Sequence, residues 1–345
     1  MEMVRLKNSS NFYLNDGMLD KASESDRKTY IDVAKGILII CVVIGHVINF
    51  EYMFTRIIKT FIYTFHMPAF FIISGILTNG KNLENQTILG FAKRKIKRLL
   101  IPYIFFEVVG GMLQIFLYGV GNVNFWGILY GILTMHCHIG ADWFLPTLFF
   151  AEMIFFVVVK NVKKKMMPII VIAFFMTAFM SPELNYGIAV IRRILIAFGF
   201  IEIGFLYKQV FVHKSLVGLG ISFVLILWVA YSNGVVDLSI RTFNNPSLYL
   251  IGGIVGAYFI LDVSQYLFGW LEKILAYLGQ DSLVIMGSHQ HVVLVVNRIC
   301  GSVYSLNVQM IVLLLVAIYE CSLLAIHSVL HNRTPQIIRE RENDG

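Results

Sequence analysis

Charged residues are scarce in this sequence. Of its 345 residues only 14% are charged and 57% are hydrophobic, and the mean hydropathy is +0.73. A soluble domain of this length carries about 25% charged residues. The composition therefore excludes an ordinary soluble domain and predicts a protein that crosses the membrane several times.

Several signatures of soluble enzymes are also missing. The sequence contains no Gly-rich phosphate loop, no GxSxG elbow and no HExxH pair, so it gives no support to a nucleotide hydrolase, a soluble serine hydrolase or a zinc protease. Its four cysteines show no paired spacing, which indicates neither a disulfide framework nor a zinc site. His136 and His138 alternate in a loop without a third ligand, so we predict no metal site. The polar first thirty residues lack the apolar core of a cleavable signal peptide.

Ten apolar windows predict an all-α, polytopic protein with about ten transmembrane helices. They lie near residues 31–50, 61–79, 99–119, 142–159, 167–181, 187–207, 214–231, 247–267, 282–300 and 309–328. The apolar stretch 124–137 falls in an outer loop and is expected to be interfacial or re-entrant.

The positions of Lys and Arg predict the orientation of these helices. Twenty-one of them fall in the segments on the side of the N-terminus, against three in the opposite loops. Because cytoplasmic loops carry the excess of Lys and Arg, we expect both termini to be cytoplasmic. This distribution explains the net charge of +7 without a nucleic-acid partner. We divide the chain into a cytoplasmic tail (1–28), a membrane domain (29–330) and a second cytoplasmic tail (331–345).

The first window, YIDVAKGILIICVVIGHVINF, carries three ionisable residues. Lys35 and His46 are eleven positions apart and so lie on one helix face, about 16 Å apart along the axis. Ionisable residues inside a bilayer are costly and indicate function. His46 lies deep in the span, and a neutral imidazole there is suited to take a proton from a hydroxyl. Asp32 and Lys35 are an i,i+3 pair and could simply pair with each other.

Three further candidates lie towards the predicted cytoplasmic side. Ser74 stands beside Gly75 in FHMPAFFIISGIL, where small residues also suit helix packing. Lys95 and Arg98 belong to the basic run FAKRKIKRLLIPY. Such a run usually marks topology and contact with lipid headgroups, but it also lies where a phosphate-rich cosubstrate would meet the bundle. Both interpretations stay open.

The remaining candidates lie in the outer or central part of the bundle. Asp142 and Trp143 open ADWFLPTLFFAEM, where an indole is typical of the aromatic belt and a carboxylate could bind a polyol. Arg192 and Arg193 point about 100° apart on one helix, so at least one should face the interior. Pairing with buried carboxylates is the structural alternative. His289, in YLGQDSLVIMGSHQHVVL, belongs either to the core or to a site.

Taken in this order, the motifs resemble those of the acyltransferase 3 family of membrane proteins, especially its branch related to fucose 4-O-acetylases. The resemblance covers roughly residues 29–330 and rests on YIDVAKGILIICVVIGH, FHMPAFFIISGIL, KRLLIPY, DWFLPTLFF and LGQDSLVIMGSH. It implies about ten helices and the transfer of an acyl group, usually acetyl from cytoplasmic acetyl-CoA, to a sugar hydroxyl. Lys35 and His46 match the family's basic residue and histidine of helix 1, and Lys95 and Arg98 match its RxxR-like cluster. Lys replaces Arg at 95, and many members have Arg where this chain has Lys35, so the bidentate fork of Arg is lost at both positions.

We therefore expect an O-acetyltransferase of the cytoplasmic membrane that uses acetyl-CoA as cosubstrate, a carbohydrate acceptor and no permanently bound cofactor, and that contacts membrane lipid. The residues assigned are His46, Lys35 and Asp32 for catalysis; Lys95, Arg98 and Ser74 for the donor; and Asp142, Trp143, Arg192, Arg193 and His289 for the acceptor. Transfer could be direct or pass through an acyl-His46 intermediate. The alternative function is a transporter or flippase of a lipid-linked sugar or small solute, with the same charged interior as its passage.

Overall fold

Helices account for most of the chain. The computed structural model describes residues 21–119, 124–135, 140–182, 186–301 and 305–330. Its helices are α1 Lys21–Val47, α2 Met53–Tyr63, α3 His66–Leu77, α4 Gly80–Glu84, α5 Ile88–Lys95, α6 Ile101–Tyr118, α7 Phe125–Thr134, α8 Phe144–Asn161, α9 Met167–Met180, α10 Tyr186–Leu206, α11 Lys208–Val212, α12 Leu216–Asn233, α13 Pro246–Ser264, α14 Gly269–Gln280, α15 Ser282–Cys300 and α16 Leu306–Leu330. Within these ranges the extended structure amounts to one isolated bridge, between Asp237 and Thr242. The predicted tail 331–345 and residues 1–20 lie outside the described residues.

Eight helical segments of the described part are long and apolar enough to cross a membrane. They are Thr29–Val47, Met53–Leu77, Ile88–Tyr118, Phe144–Asn161, Leu216–Asn233, Pro246–Ser264, Ser282–Cys300 and Leu306–Val329. The other two predicted windows are also helical but differ from a simple span. Helix α9 has only 14 residues, and α10 has 21 residues but contains three charged side chains. The all-α, multi-pass architecture is thus confirmed, with eight segments that span by length and composition.

The second span, Met53–Leu77, is broken near its middle. Helix α2 begins at Met53, eight residues before the predicted window, and the chain leaves helical geometry at Phe65 before α3 continues. A proline inside a helix bends or breaks it. Pro68, however, lies in the first turn of α3, where its missing N–H would have had no partner within the helix.

The basic run lies within the third span. Helices α5 and α6 join through a π-helical turn, Ile96–Leu100, so that Ile88–Tyr118 is continuous. Lys95 immediately precedes this turn, and Arg98 lies within it. Helix α7, in the apolar stretch 124–137, has ten residues, which is too short for a span.

Helix α3 forms the centre of the bundle. Its residues from His66 to Ile73 are all buried, and it packs against α1, α10 and α13. At the crossing with α10, a Cβ on Gly75 would lie 1.9 Å from the carbonyl oxygen of Ile201, so the two backbones are in contact. On the outer faces of the bundle large apolar side chains such as Phe116 (84% exposed) remain uncovered, as expected where lipid replaces water.

Candidate active site

The last turn of α1 brings His46 next to α15. The Nδ1 atom of His46 lies 2.8 Å from Nε2 of Gln290. The imidazole rings of His46 and His289 are tilted against each other with their centroids 5.3 Å apart. Because Nδ1 is engaged by Gln290, the nitrogen left for a ligand is Nε2. A side-chain amide can present either its NH₂ or its carbonyl oxygen, so Gln290 can stabilise either tautomer of His46.

Two neighbouring histidines are fixed by the backbone instead. Nδ1 of His66 lies 2.9 Å from the carbonyl oxygen of Ile62, and Nδ1 of His289 lies 2.8 Å from that of Ile285. A carbonyl accepts only, so in each neutral ring the proton is on Nδ1 and Nε2 carries the lone pair. Nε2 of His289 is buried without a hydrogen-bond partner in the described part of the chain. His46 is therefore the histidine of this group whose tautomer a side chain controls.

A cavity of about 420 Å³, including its open mouth, lies beside His46. Its walls combine aromatic rings with polar groups from distant parts of the chain. The lining residues that matter below are His46, Tyr63, His66, Trp143, Asp237 and Tyr249. A concave, largely apolar pocket with a few convergent polar groups is the usual form of a small-molecule site.

Lys35 and Asp32 form an ion pair on α1, farther along the helix from this cavity. Nζ of Lys35 lies 2.6 Å from Oδ1 of Asp32, as the i,i+3 spacing suggested. Both side chains are largely buried, with 15% and 21% of their surface exposed. Neither lines the cavity, and the helical rise separates Lys35 from His46 by about 16 Å. Of the three predicted catalytic residues, His46 therefore lies at the cavity, and Lys35 and Asp32 lie about three helical turns away on α1.

Ser74 and Lys95, assigned separately to the donor, meet at one carboxylate. Both donate to Oε1 of Glu152 on α8, each over 2.6 Å. The Lys95–Glu152 ion pair is mostly buried, with 22% and 6% of the side chains exposed. Arg98, three residues after Lys95, is exposed instead. The predicted pair therefore has one cation held inside the bundle and one at its surface.

Trp143 and Arg193 also come together, although the sequence gave no reason to pair them. The guanidinium carbon of Arg193 lies 5.3 Å from the centre of the Trp143 ring, a cation–π geometry. Nη2 of Arg193 donates to the hydroxyl of Tyr186 over 3.3 Å. Arg192 points elsewhere, and its Nε donates to the carbonyl oxygen of Ala178 near the end of α9, over 2.6 Å. Arg193 is therefore next to the cavity wall, whereas Arg192 supports helix packing.

Asp142, just before the span that begins at Phe144, is fully buried. Neither of its carboxylate oxygens has a hydrogen-bond partner among the described residues. Burial, followed by the nearby carboxyl of Glu107, raises the pKa of Asp142 well above its usual range. Asp142 does not line the cavity, although Trp143 next to it does.

Several residues of this region were not singled out from the sequence. They are Gln290, Tyr249, Glu152 and His66. Gln290 had one usable signal, because it is a polar residue between two histidines on an apolar helix. A buried tyrosine within an apolar window, such as Tyr249, gives none.

Among the described residues, no group of three or more His, Cys, Asp or Glu side chains could hold a metal ion. His136 and His138 lie outside the described residues, so the expectation of no metal site stays a prediction.

Comparison with known proteins identifies the family. The acyltransferase 3 family model, described as an acyltransferase domain, matches residues 28–326. The chain is 36% identical over 91 residues to Nodulation protein NolL of Mesorhizobium japonicum, which covers 24% of each chain. It is 31% identical over 132 residues to Nodulation protein NolL of Sinorhizobium fredii, which covers 36% of this chain and 34% of that protein. The alignments thus span about a quarter and a third of these curated relatives. No solved structure matches the chain. Because the family model covers most of the sequence, the chain belongs to the acyltransferase 3 family.

Proposed function

We propose that the protein is an O-acetyltransferase of the cytoplasmic membrane, with both termini inside. It moves an acetyl group from cytoplasmic acetyl-CoA to a hydroxyl of an extracytoplasmic or lipid-linked carbohydrate. The observation that carries the proposal is the imidazole of His46 at a cavity with aromatic and polar walls, in a chain of the acyltransferase 3 family.

His46 acts as the general base in this mechanism. A base needs a nitrogen lone pair, and His46 offers one on Nε2 when the amide carbonyl of Gln290 faces its Nδ1–H. With the NH₂ group of Gln290 facing Nδ1 instead, Nε2 carries the ring proton. With the carbonyl in place, Nδ1–H keeps its acceptor when Nε2 takes the proton, so one orientation of the amide serves the ring before and after proton transfer. General-base catalysis of this kind contributes about 10²- to 10⁴-fold in rate.

The group transfer needs no other reactant. The acceptor oxygen attacks the thioester carbonyl carbon while its proton moves to Nε2 of His46. The carbon–sulfur bond breaks, and the leaving thiolate of coenzyme A receives the proton from His46. The products are an acetyl ester of the acceptor and free coenzyme A thiol, so atoms and charges balance.

The cations on the inner side would hold the donor. Arg98 is exposed and can approach a phosphate from the cytoplasm, whereas Lys95 would exchange its partner Glu152 for the phosphate. Ser74 lies eight residues after His66 on α3, which separates the two by about 12 Å along the helix. Donor phosphates and the reacting carbon must therefore lie far apart. Acetyl-CoA meets this requirement because its thioester is at the end of a long arm.

The test compares His46→Ala with the wild-type protein. Membranes that contain either protein are incubated with acetyl-CoA carrying a radioactive acetyl group, and label in the glycan and lipid fractions is counted. We expect His46→Ala to lower the transfer rate at least about 100-fold, the low end of a general-base contribution.

His213 supplies the matched control, because it is an exposed histidine just before α12. The His213→Ala protein should transfer label at the wild-type rate. If His46→Ala inserts in the membrane and still transfers label normally, His46 is not the base. If the wild-type protein moves a glycan across vesicles with no acyl donor present and transfers no label, it is a transporter.

A further inference from the structure

The connection between α12 and α13 is a fixed cap over the cavity. Asp237 and Thr242 exchange two backbone hydrogen bonds of 2.7 and 2.9 Å, which close a small turn. The side chain of Asn244 donates to the carbonyl oxygens of Asn233 and Val235, over 2.6 and 2.8 Å. These bonds tie the cap to the end of α12.

Apolar side chains anchor the same cap in the bundle. Val236, Leu238 and Phe243 belong to the main hydrophobic core, with at most 6% of their surface exposed. The ring of Phe243 packs against that of Tyr249 on α13, with centroids 5.1 Å apart. Three consecutive residues of the cap, Asp237, Leu238 and Ser239, line the cavity that contains His46.

Tyr249 presents an unused hydroxyl to this cavity. The residue is 1% exposed, and its OH group has no hydrogen-bond partner in the described part of the chain. Buried hydroxyls almost always have a partner, so this one at the cavity wall is available to a ligand atom. The rings of Phe200 and Phe243 flank Tyr249 and prevent it from turning away.

Asp237 offers a carboxylate to the same cavity. Its Oδ1 accepts from the backbone N–H and the hydroxyl of Ser239, over 2.7 and 2.6 Å. These two bonds fix the carboxylate. A fixed carboxylate oxygen is a strong acceptor for a ligand hydroxyl and repels an anionic ligand.

We propose that Asp237 and Tyr249 form the acceptor subsite of the proposed acetyltransferase and that it binds one uncharged sugar ring through its hydroxyls. Tyr63 and Trp143 supply aromatic wall beside these groups. The ring would lie between the cap and His46, so that one of its hydroxyls faces Nε2. This inference rests on the proposed function.

The test measures how Tyr249→Phe and Asp237→Asn change the use of acceptor. The acceptor probe is a surface-glycan extract of the source cells, treated with mild alkali to remove its ester groups. Initial rates of label transfer from acetyl-CoA are recorded against extract concentration. Each variant removes a single hydrogen-bonding or charged group and keeps the side-chain shape. We expect the concentration for half-maximal rate to rise about tenfold in each variant, with the limiting rate and the KM for acetyl-CoA unchanged.

Tyr231→Phe is the matched control, because it removes the same hydroxyl group from a tyrosine on α12 that is 91% exposed. Its acceptor dependence should equal that of the wild-type protein. An unchanged half-maximal concentration in both cavity variants, or a lower limiting rate with no other change, overturns the subsite. Preferential transfer to glycans rich in uronic acids by the Asp237→Asn protein supports the exclusion of anions. If the wild-type protein transfers no label, the proposed function fails and the subsite falls with it.

Discussion

The crossing of α1 and α14 is so close that one added methyl group should destabilise the protein. A Cβ at Gly279 would lie 1.8 Å from the carbonyl oxygen of Asp32, whereas ordinary contacts begin at 3.4 Å. The Gly279→Ala substitution therefore requires a local separation of about 1.6 Å, the difference of these two distances. The obstructing atoms belong to helix backbone and cannot rotate away. The reciprocal position, Gly36, is equally tight, with Leu275 oxygen at 2.0 Å.

The expected magnitude follows from this geometry. Overpacking costs about 1–3 kcal/mol, and a rigid backbone obstacle favours the upper end, about 3 kcal/mol. Since 1 kcal/mol shifts the Tm of a domain of 150–250 residues by about 2–4 °C, and larger chains by less, we expect a fall of about 5 °C. The measurement is thermal loss of helical circular dichroism for the purified protein in detergent.

Gly220 on α12 provides the matched control. A Cβ there meets no atom within 4 Å, so Gly220→Ala should gain helix propensity, up to about 1 kcal/mol, without any clash. Its Tm should equal or slightly exceed that of the wild-type protein. A Gly279→Ala protein with the wild-type Tm would refute the claim that the two backbones are in contact.

Two further predictions concern groups next to the site. Gln290→Leu removes the amide that contacts His46, and with it one hydrogen bond that sets the tautomer of the ring. We therefore expect kcat in the label-transfer assay to fall about tenfold, with the KM for acetyl-CoA unchanged. An unchanged kcat would contradict this role of Gln290. Asp142 has a raised pKa in the folded protein, so the unfolded chain loses this proton first as pH rises, and stability falls between the unfolded and folded pKa values. The Asp142→Asn protein has no carboxyl group to ionise at this position, so its stability does not fall in this way. Its Tm should therefore exceed that of the wild-type protein by a margin that grows from about pH 4 upward. A margin that does not depend on pH would count against a cost of ionising Asp142 in the folded protein.

The architecture was largely predictable because the bilayer restricts what a spanning segment can be. Each must satisfy its backbone internally and present apolar side chains, which leaves a local signal of about twenty residues. The spans of α1, α12 and α13 were found on that signal alone. The ion pair between Asp32 and Lys35 was predictable for the same reason, because i,i+3 neighbours meet on any helix.

The signal was weaker where local rules compete. Helix α9 is too short for a full span, and α10 carries two adjacent arginines, one of which bonds to the end of α9 and the other to Tyr186. The break before α3 is another case. The chain leaves helical geometry at Phe65, and Pro68 lies in the first turn of α3, a position that is compatible with proline.

Sequence alone therefore determined the membrane architecture, the order of the family's motifs and the choice of His46, since these depend on residue type and short-range spacing. Tertiary structure decided which groups accompany His46. Gln290 lies 244 positions away in the chain, and Tyr249 reaches the cavity only because the cap and α13 pack beside α3. Tertiary structure also gave Lys95 and Arg98 different surroundings, because Lys95 is paired with Glu152 inside the bundle whereas Arg98 is exposed. Contacts of this kind depend on how helices cross, and no periodicity within a single helix encodes the crossing.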